Sequence, residues 1–256
     1  MAESLPLQAI TFDLDDTLWD NHGLMVATET GHYAWLDREL SGWLQARGRP
    51  AAPRFSERFP LESFEQHRRV LARTHPLHRG DFTWLRERAL TEMLGEYGLD
   101  PASARLWAGA AMERFMELRH QVTPYPEVEP LLTELGRHYR LASITNGNVA
   151  VQRLALGRHF PVAIAAGEML APKPDPRPFL AALARLGASP ARTLHVGDSW
   201  REDVEPARRL GMRVAWISPH VDDTPMPPGI HRLDHVRELP ALLRRLGQPA
   251  PEWELR

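Results

Sequence analysis

The sequence predicts an α/β protein in which a parallel β-sheet is interrupted, after its first strand, by an all-helical insertion. Two observations lead to this fold class. In the second half of the chain, short β-rich runs alternate with helical patterns, which is typical of parallel strands joined by right-handed crossovers. Residues 18–123, which follow the first strand, show helical patterns throughout.

Five runs rich in β-forming residues predict the strands, at 8–13, 140–145, 162–166, 193–197 and 213–217. Helical patterns lie between them. Residues 128–135 place Val and Leu at the i, i+3, i+4, i+7 spacing of one helix face. Residues 179–186 repeat this pattern, and Gly187 is expected to end that helix.

The insertion is predicted as a helical domain of residues 18–123, flanked by an α/β core of residues 1–17 and 124–256. Four apolar stripes at helical spacing support it: Leu36, Leu40, Trp43, Leu44; Leu61, Phe64, Leu71; Leu85, Ala89, Met93; and Leu106, Ala110, Phe115. Asp81 is a candidate N-cap for the third helix, and Pro101 is expected to begin the fourth. The Pro-rich segment 122–126 is expected to return the chain to the core.

Composition excludes several functional classes. The chain has 256 residues, 43% of them apolar and 25% charged, and a net charge of -2, so neither nucleic acid nor an anionic membrane is an expected partner. The absence of cysteine excludes disulfides, thiolate catalysis and Cys-bound zinc. No signal peptide and no run of about eighteen apolar residues is found, so we expect a cytoplasmic protein. The sequence leaves its oligomeric state open.

Chemically reactive side chains follow four of the predicted strands. They are Asp13, Asp15 and Asp16 after the first strand, Thr145 and Asn146 after the second, Lys173 after the third, and Asp198 with Asp203 after the fourth. Because ligands of parallel sheets bind at the carboxyl ends of the strands, we expect these groups to meet at one edge. Three neighbouring carboxylates repel each other, which indicates that a cation belongs among them.

These residues resemble, in order and spacing, the four motifs of the haloacid dehalogenase-like (HAD) hydrolase superfamily. The motifs are DxDxT at 13–17, Thr145 at a strand end, Lys173, and GDxxxxD at 197–203. The resemblance implies a Rossmann-like parallel sheet flanked by helices, with the insertion as a cap domain. It also implies a Mg2+-dependent phosphatase that hydrolyses a small-molecule phosphomonoester through an aspartyl-phosphate intermediate.

The same resemblance implies a role for each residue. Asp13 would be the nucleophile and a metal ligand, and Asp15 the general acid and base whose backbone carbonyl also binds the metal. Thr145, Asn146 and Lys173 would bind the phosphoryl group, and Asp198 and Asp203 would complete the Mg2+ site. Segments 12–21, 144–148 and 194–212 further resemble bacterial phosphatases that act on flavin mononucleotide (FMN) or on the phosphorylated ribitylaminouracil precursor of riboflavin. Flavin metabolism is therefore the expected context.

Each of these roles has a structural alternative. Asp13 and Asp15 could be turn or cap acids, Lys173 a surface lysine, Thr145 a turn residue, and Asp203 an acid of a first helical turn. Strand alternation directs Asp16 away from its neighbours, so a structural role is expected for it. His75 and His78 could form a metal pair, although no HExxH pattern supports this. Trp200, beside Asp198, could either flank the pocket or shield a helix start.

Other functions remain as alternatives. A receiver-like signalling protein would need no helical insertion, and a phospho-ligand-binding protein without turnover would not need every reactive residue present. A dehalogenase would not be expected to carry Asp15, since displacement of a halide requires no proton donor. A sugar phosphomutase, or a phosphatase for phosphoglycolate or sugar phosphates, shares the same motifs.

Overall fold

A computed structural model describes residues 5–49, 53–219 and 225–251 of the chain. The chain forms two compact units, one made of residues up to Asn21 and from Thr123 onward, and one of His22–Val122. The first unit contains the β-sheet, and the second is helical. No helix in the described part of the chain is both long and apolar enough to cross a membrane.

The described residues of the first unit form a six-stranded sheet in which every pairing is parallel. Its strands are β1 (Ala9–Phe12), β2 (Arg140–Thr145), β3 (Val162–Ala165), β4 (Thr193–Gly197), β5 (Arg213–Ile217) and β6 (Ile230–Leu233). The spatial order is β3-β2-β1-β4-β5-β6, with β1 in the middle of the sheet. This doubly wound order confirms the predicted Rossmann-like fold class.

The strand β6 was not predicted from the sequence. It is four residues long, pairs with β5 at the edge of the sheet, and has two partly exposed polar residues, His231 and Arg232, between its buried ends. This burial pattern matches neither the alternation of a half-buried strand nor the apolar run of a central one. The pairing with β5 is therefore what makes this segment a strand.

The helices, numbered along the chain, are α1 (Asn21–Gln45), α2 (Phe55–Arg58), α3 (Leu61–Thr74), α4 (Phe82–Tyr97), α5 (Pro101–Arg119), α6 (Val128–Leu135), α7 (Ala166–Met169), α8 (Arg177–Leu186), α9 (Glu205–Arg209) and α10 (Leu239–Arg245). In α6, all four residues of the predicted apolar face are buried. The helix α8 ends at Gly187, which adopts a left-handed φ of 61°, as its position after the apolar stripe predicted.

The helical unit is built around the apolar faces of α1, α3, α4 and α5. The Asp81 side chain caps α4 as predicted, accepting a hydrogen bond of 2.9 Å from the Trp84 N–H. The predicted stripe of α5 was right only at Phe115, because Leu106 is 69% exposed and Ala110 is half-buried. The buried face of α5 instead consists of Ala104, Ala108, Ala111, Met112 and Phe115. Small alanines allow a neighbouring helix to approach closely, so residue size as well as hydrophobicity selects the buried face.

Candidate active site

Asp13 lies at the carboxyl end of the central strand β1. Its N–H donates a 2.8 Å hydrogen bond to the Val196 carbonyl of β4, and its side chain is buried. The β1–β4 pairing therefore continues past Phe12 and brings Asp13 to the strand end that precedes Asp198. The Thr17 hydroxyl donates a long, 3.4 Å hydrogen bond to Asp13 Oδ2. The sheet topology thus brings together acids that are far apart in sequence.

Lys173 is the cation at the centre of this group, and only 3% of its surface is exposed. Its Nζ lies 2.6 Å from Asp13 Oδ1 and 2.6 Å from Asp203 Oδ1. Burial acts to lower the pKa of Lys173, but the two carboxylates outweigh burial and raise it above its ordinary value. The ammonium group therefore remains charged and joins the two acids.

Asp203 is held by several donors in addition to Lys173. A π-helical turn at Trp200–Val204, directly before α9, places it behind Gly197. Its Oδ2 accepts from the Ser199 N–H at 3.1 Å, and its Oδ1 lies 3.1 Å from His195 Nε2. Burial acts to raise the pKa of Asp203, but Lys173 and His195 outweigh burial and lower the pKa to about 2. Asp203 is thus a fixed, ionised carboxylate.

The carboxylates of Asp13, Asp198 and Asp203 are close enough to share a metal ion. Each offers one oxygen, and these oxygens lie within 4.8 Å of one another. Burial raises the pKa of Asp13 well above its usual value, with Lys173 opposing and Asp203 reinforcing that shift. Burial, and then the charges of Asp203 and Asp16, raise the pKa of Asp198 to about 6. Two crowded acids whose ionisation is disfavoured, Asp13 and Asp198, together with the ionised Asp203, offer only oxygen donors and fit a hard divalent cation.

Asp15 and Asp16 follow Asp13 on a tight turn, and their side chains are held differently. Asp15 Oδ1 accepts a 2.9 Å hydrogen bond from the indole of the buried Trp19. Asp16 adopts a left-handed φ of 59°, and its Oδ1 accepts from the Asn21 N–H at 2.9 Å. Aspartate tolerates this backbone conformation better than most residues, which gives Asp16 a structural function in the turn. Asp16 also lines the site cavity.

Thr145 and Asn146, at the end of β2, mainly shape the backbone around the site. The Thr145 hydroxyl accepts from the Gly147 N–H at 2.9 Å. Asn146 Oδ1 accepts from the Lys173 N–H at 2.7 Å, while its Nδ2 donates to the Lys173 carbonyl at 3.0 Å and to Glu202 Oε2 at 2.7 Å. Both polar atoms of the Asn146 amide thus fix the Lys173 loop, and Asn146 also lines the site cavity, where the substrate contact predicted from the sequence stays a prediction.

A cavity of about 180 Å³ opens among these residues. It is lined by Asp13, Asp15, Asp16, Thr145, Asn146, Gly147, Lys173, Asp198, Ser199, Glu202 and Asp203. This volume is below the roughly 300–1,000 Å³ of pockets that enclose a drug-sized ligand, so the cavity suits a small polar group. Ser199 and Glu202 were missed by sequence reasoning, although both lie inside the GDxxxxD motif.

Two other predictions from the sequence concern histidine and tryptophan. The His78 ring stacks on Trp84 with centroids 4.0 Å apart, and His75 packs on the same indole at 5.2 Å. Among the residues that the structure describes, the group of three or more side chains able to hold a metal is Asp13, Asp198 and Asp203, and neither histidine belongs to it. Trp200 packs edge-to-face against Trp216 at 4.9 Å.

The sequence profile of the haloacid dehalogenase-like hydrolases matches residues 7–211. This match covers the motif residues and the helical unit, and it extends over most of the chain. The chain belongs to the haloacid dehalogenase-like hydrolase family. The family membership that the four motifs indicated is therefore confirmed.

Two relatives and one solved structure illustrate what the chain is similar to, two of the three over most of its length. A 5-amino-6-(5-phospho-D-ribitylamino)uracil phosphatase of Escherichia coli, YigB, is 31% identical and aligns with 85% of this chain and 86% of its own. A phosphoserine phosphatase of Thermus thermophilus is 38% identical but aligns with 52% of this chain and 54% of its own. The crystal structure of a 2-haloacid dehalogenase from Pseudomonas syringae has a TM-score of 0.80 and 34% identity, and the match covers 93% of this chain and 99% of that one.

Proposed function

We propose that the protein is a Mg2+-dependent phosphatase that hydrolyses a small-molecule phosphomonoester through an aspartyl-phosphate on Asp13. The observation that carries this proposal is the contact of Asp13 with the buried Lys173 ammonium, beside two further acids that could share a metal with Asp13. An anionic nucleophile must approach an anionic phosphate here, so the site needs concentrated positive charge. Asp13, Asp198 and Asp203 would hold the Mg2+, together with the Asp15 carbonyl.

The first chemical step forms a bond between an Asp13 carboxylate oxygen and phosphorus and breaks the bond between phosphorus and the leaving oxygen. Asp15 donates its proton to that oxygen as it leaves. In the second step Asp15 removes a proton from a water molecule that attacks phosphorus, which releases inorganic phosphate and restores the Asp13 carboxylate. When bound, Mg2+ supplies positive charge that stabilises the phosphoryl oxygens.

Lys173 has two functions in this scheme. Its ammonium offsets the charge that accumulates on the phosphoryl oxygens, together with Thr145 and backbone N–H groups. It also opposes the rise in the pKa of Asp13 that burial causes, which favours the ionised nucleophile. Asn146 supports both functions by holding the backbone of Lys173 on either side of its Cα.

A dehalogenase is the main alternative, because the 2-haloacid dehalogenase from Pseudomonas syringae is 34% identical to this chain. Asp15 favours the phosphatase. Its carboxylate lines the cavity two residues after Asp13, where a leaving alkoxide needs a proton and a leaving halide does not. The Escherichia coli relative, a phosphatase by name, is similar over 85% of this chain.

The proposed substrate is a phosphate on a ribityl chain, either the phosphorylated ribitylaminouracil precursor of riboflavin or FMN. This is supported by the similarity to the Escherichia coli enzyme, whose aligned region takes in most of both chains. We infer that residues outside this cavity select the organic part of the substrate, because the 180 Å³ cavity has room for little beyond the phosphoryl group. We place the reaction in the cytoplasm, within flavin metabolism.

The test compares kcat/KM for release of phosphate from ribitylaminouracil phosphate, FMN, phosphoserine, phosphoglycolate, glyceraldehyde 3-phosphate and hexose phosphates, with Mg2+ and with EDTA. We expect a ribityl phosphate to lead by at least about tenfold, which corresponds to roughly 1.4 kcal/mol of transition-state stabilisation. The Asp13→Asn variant is the matched control and should retain less than a tenth of the activity. Another substrate in first place would contradict the flavin assignment alone, whereas full activity in EDTA would contradict the Mg2+ mechanism.

A further inference from the structure

The buried histidine His195 contacts the active site from inside the sheet, and the reaction scheme above does not use it. It lies on β4 directly opposite Thr11 of β1 in the strand register, and both residues are fully buried. Its ring packs edge-to-face on Phe179 of α8 with centroids 5.0 Å apart. Both ring nitrogens of this histidine nevertheless have polar partners.

The partners define which nitrogen carries the proton. Nε2 lies 3.1 Å from Asp203 Oδ1, and an ionised carboxylate oxygen can only accept, so Nε2–H is the donor. Nδ1 lies 2.8 Å from the Thr11 hydroxyl. In the neutral Nε2–H tautomer Nδ1 is an acceptor, so the Thr11 hydroxyl donates to it. Because the ring is fully buried, a neutral imidazole avoids the cost of desolvating a further charge.

These hydrogen bonds form one continuous chain from the interior of the sheet to Asp13. Thr11 donates to His195, His195 donates to Asp203 Oδ1, and the same oxygen accepts from Lys173 Nζ at 2.6 Å. Lys173 Nζ in turn donates to Asp13 Oδ1 at 2.6 Å. All five side chains are buried, so no solvent competes for these bonds.

We propose that His195 is a positioning residue that orients the Asp13 nucleophile through Asp203 and Lys173, with Thr11 fixing the imidazole. This inference rests on the proposed function, in which Asp13 attacks phosphorus. Without the His195 donor, Asp203 Oδ1 keeps only one hydrogen-bond partner, the Lys173 ammonium. The carboxylate could then rotate, and this rotation would carry the ammonium away from Asp13. Misplacement of a reacting group lowers the rate of the chemical step far more than it weakens substrate binding.

The test uses the Mg2+-loaded protein with p-nitrophenyl phosphate and four variants. His195→Leu removes both polar atoms at similar volume, His195→Gln restores a donor toward Asp203, and Thr11→Val removes only the outer hydroxyl. Phe179→Leu is the control, because it removes the ring contact without touching a hydrogen bond. Melting temperatures identify variants that fold.

We expect kcat of His195→Leu to fall by about 10–100-fold, the range found for residues that orient the groups of a metal site, with KM changed by less than about threefold. His195→Gln should recover most of that loss, Thr11→Val should show a smaller loss, and Phe179→Leu should lower the melting temperature without lowering kcat. In the wild-type protein, 15N chemical shifts of the imidazole should show Nε2 protonated and Nδ1 unprotonated.

Three results would overturn the proposal: a folded His195→Leu variant with wild-type kcat, a His195→Gln variant as slow as the Leu variant, or a ring protonated on Nδ1 and not on Nε2. If His195→Leu does not fold, Thr11→Val at wild-type kcat would overturn it instead. A wild-type protein without Mg2+-dependent phosphatase activity would overturn the proposed function itself, which separates the two failures.

Discussion

Substitution of Gly197 by alanine tests how tightly the site is packed. A Cβ at this position would lie 2.4 Å from Asp203 Cγ and 2.7 Å from both Asp203 Cβ and Oδ2. Ordinary contacts of a Cβ begin near 3.4 Å, so the Asp203 side chain would have to move by about 1 Å. Gly197 lies within a regular strand, so this contact accounts for the whole expected effect.

The size of the effect follows from the hydrogen bonds of Asp203. Its Oδ1 lies 2.6 Å from Lys173 Nζ and 3.1 Å from His195 Nε2, and a shift of about 1 Å breaks both bonds. A hydrogen bond to a charged group contributes about 1.5–3 kcal/mol, so the loss of two lowers the free energy of unfolding by roughly 3–6 kcal/mol. For a chain of this size that corresponds to a fall of roughly 6–24 °C in melting temperature.

The assay is thermal unfolding of Gly197→Ala in EDTA and in Mg2+, followed by phosphatase kinetics. We also expect activity to fall, because Asp203 holds Lys173 beside Asp13. Gly95→Ala is the matched control: nothing lies within 4 Å of its added Cβ in α4, and it should raise stability by about 0.5–1 kcal/mol. A Gly197→Ala protein that melts within 2 °C of wild type would refute this account of the packing.

Three further predictions concern proton transfer, pH and metal. Asp15→Asn should slow hydrolysis of an alkyl phosphate far more than that of p-nitrophenyl phosphate, whose leaving group hardly needs a proton; equal losses in kcat would remove Asp15 from the acid role. Burial lowers the pKa of His32 to about 4 in the folded protein. Because the unfolded chain takes up a proton at His32 near pH 6.5, the neutral buried ring contributes fully to stability above that pH, and this contribution is lost as the pH falls toward 4. Between pH 6.5 and 4, the free energy of unfolding of His32→Phe, measured in urea, should therefore fall by roughly 3 kcal/mol less than that of the wild-type protein. An unchanged pH profile would contradict a buried neutral ring. Mg2+ at about a hundredfold excess over its dissociation constant should stabilise the wild-type protein by about 2.7 kcal/mol, and Asp198→Asn should abolish most of that stabilisation if Asp198 is a ligand.

The sequence was sufficient for features that depend on short segments. Apolar spacing predicted α4, α6 and α8. Asp81, directly before α4, identified the cap of that helix, and Gly187, directly after α8, identified the residue that ends it. The strands β1, β2 and β4 were also predictable, because each is a compact β-rich run followed directly by polar motif residues. Since the carboxyl ends of parallel strands share one edge, the meeting of Asp13, Thr145 and Asp198 followed from the fold class alone.

Features that depend on distant neighbours needed the tertiary structure. The strand β6 exists because β5 pairs with it, and Leu106 is exposed because the buried face of α5 is lined by small alanines. The hydrogen bonds between the Asn146 amide and the backbone of Lys173, which lies 27 residues away in sequence, were not predicted. A local pattern cannot show which of two polar partners a side chain selects.

By itself, then, the sequence determined that one edge of a parallel sheet would collect the acids and the lysine of a hydrolase. Only the tertiary structure decided how those charges are held. Thr11 and His195 are 184 residues apart, and they meet because β1 and β4 are neighbours in the sheet. A buried polar group is stable only where the fold supplies its partner, and that partner is set by strand order and register rather than by the surrounding sequence.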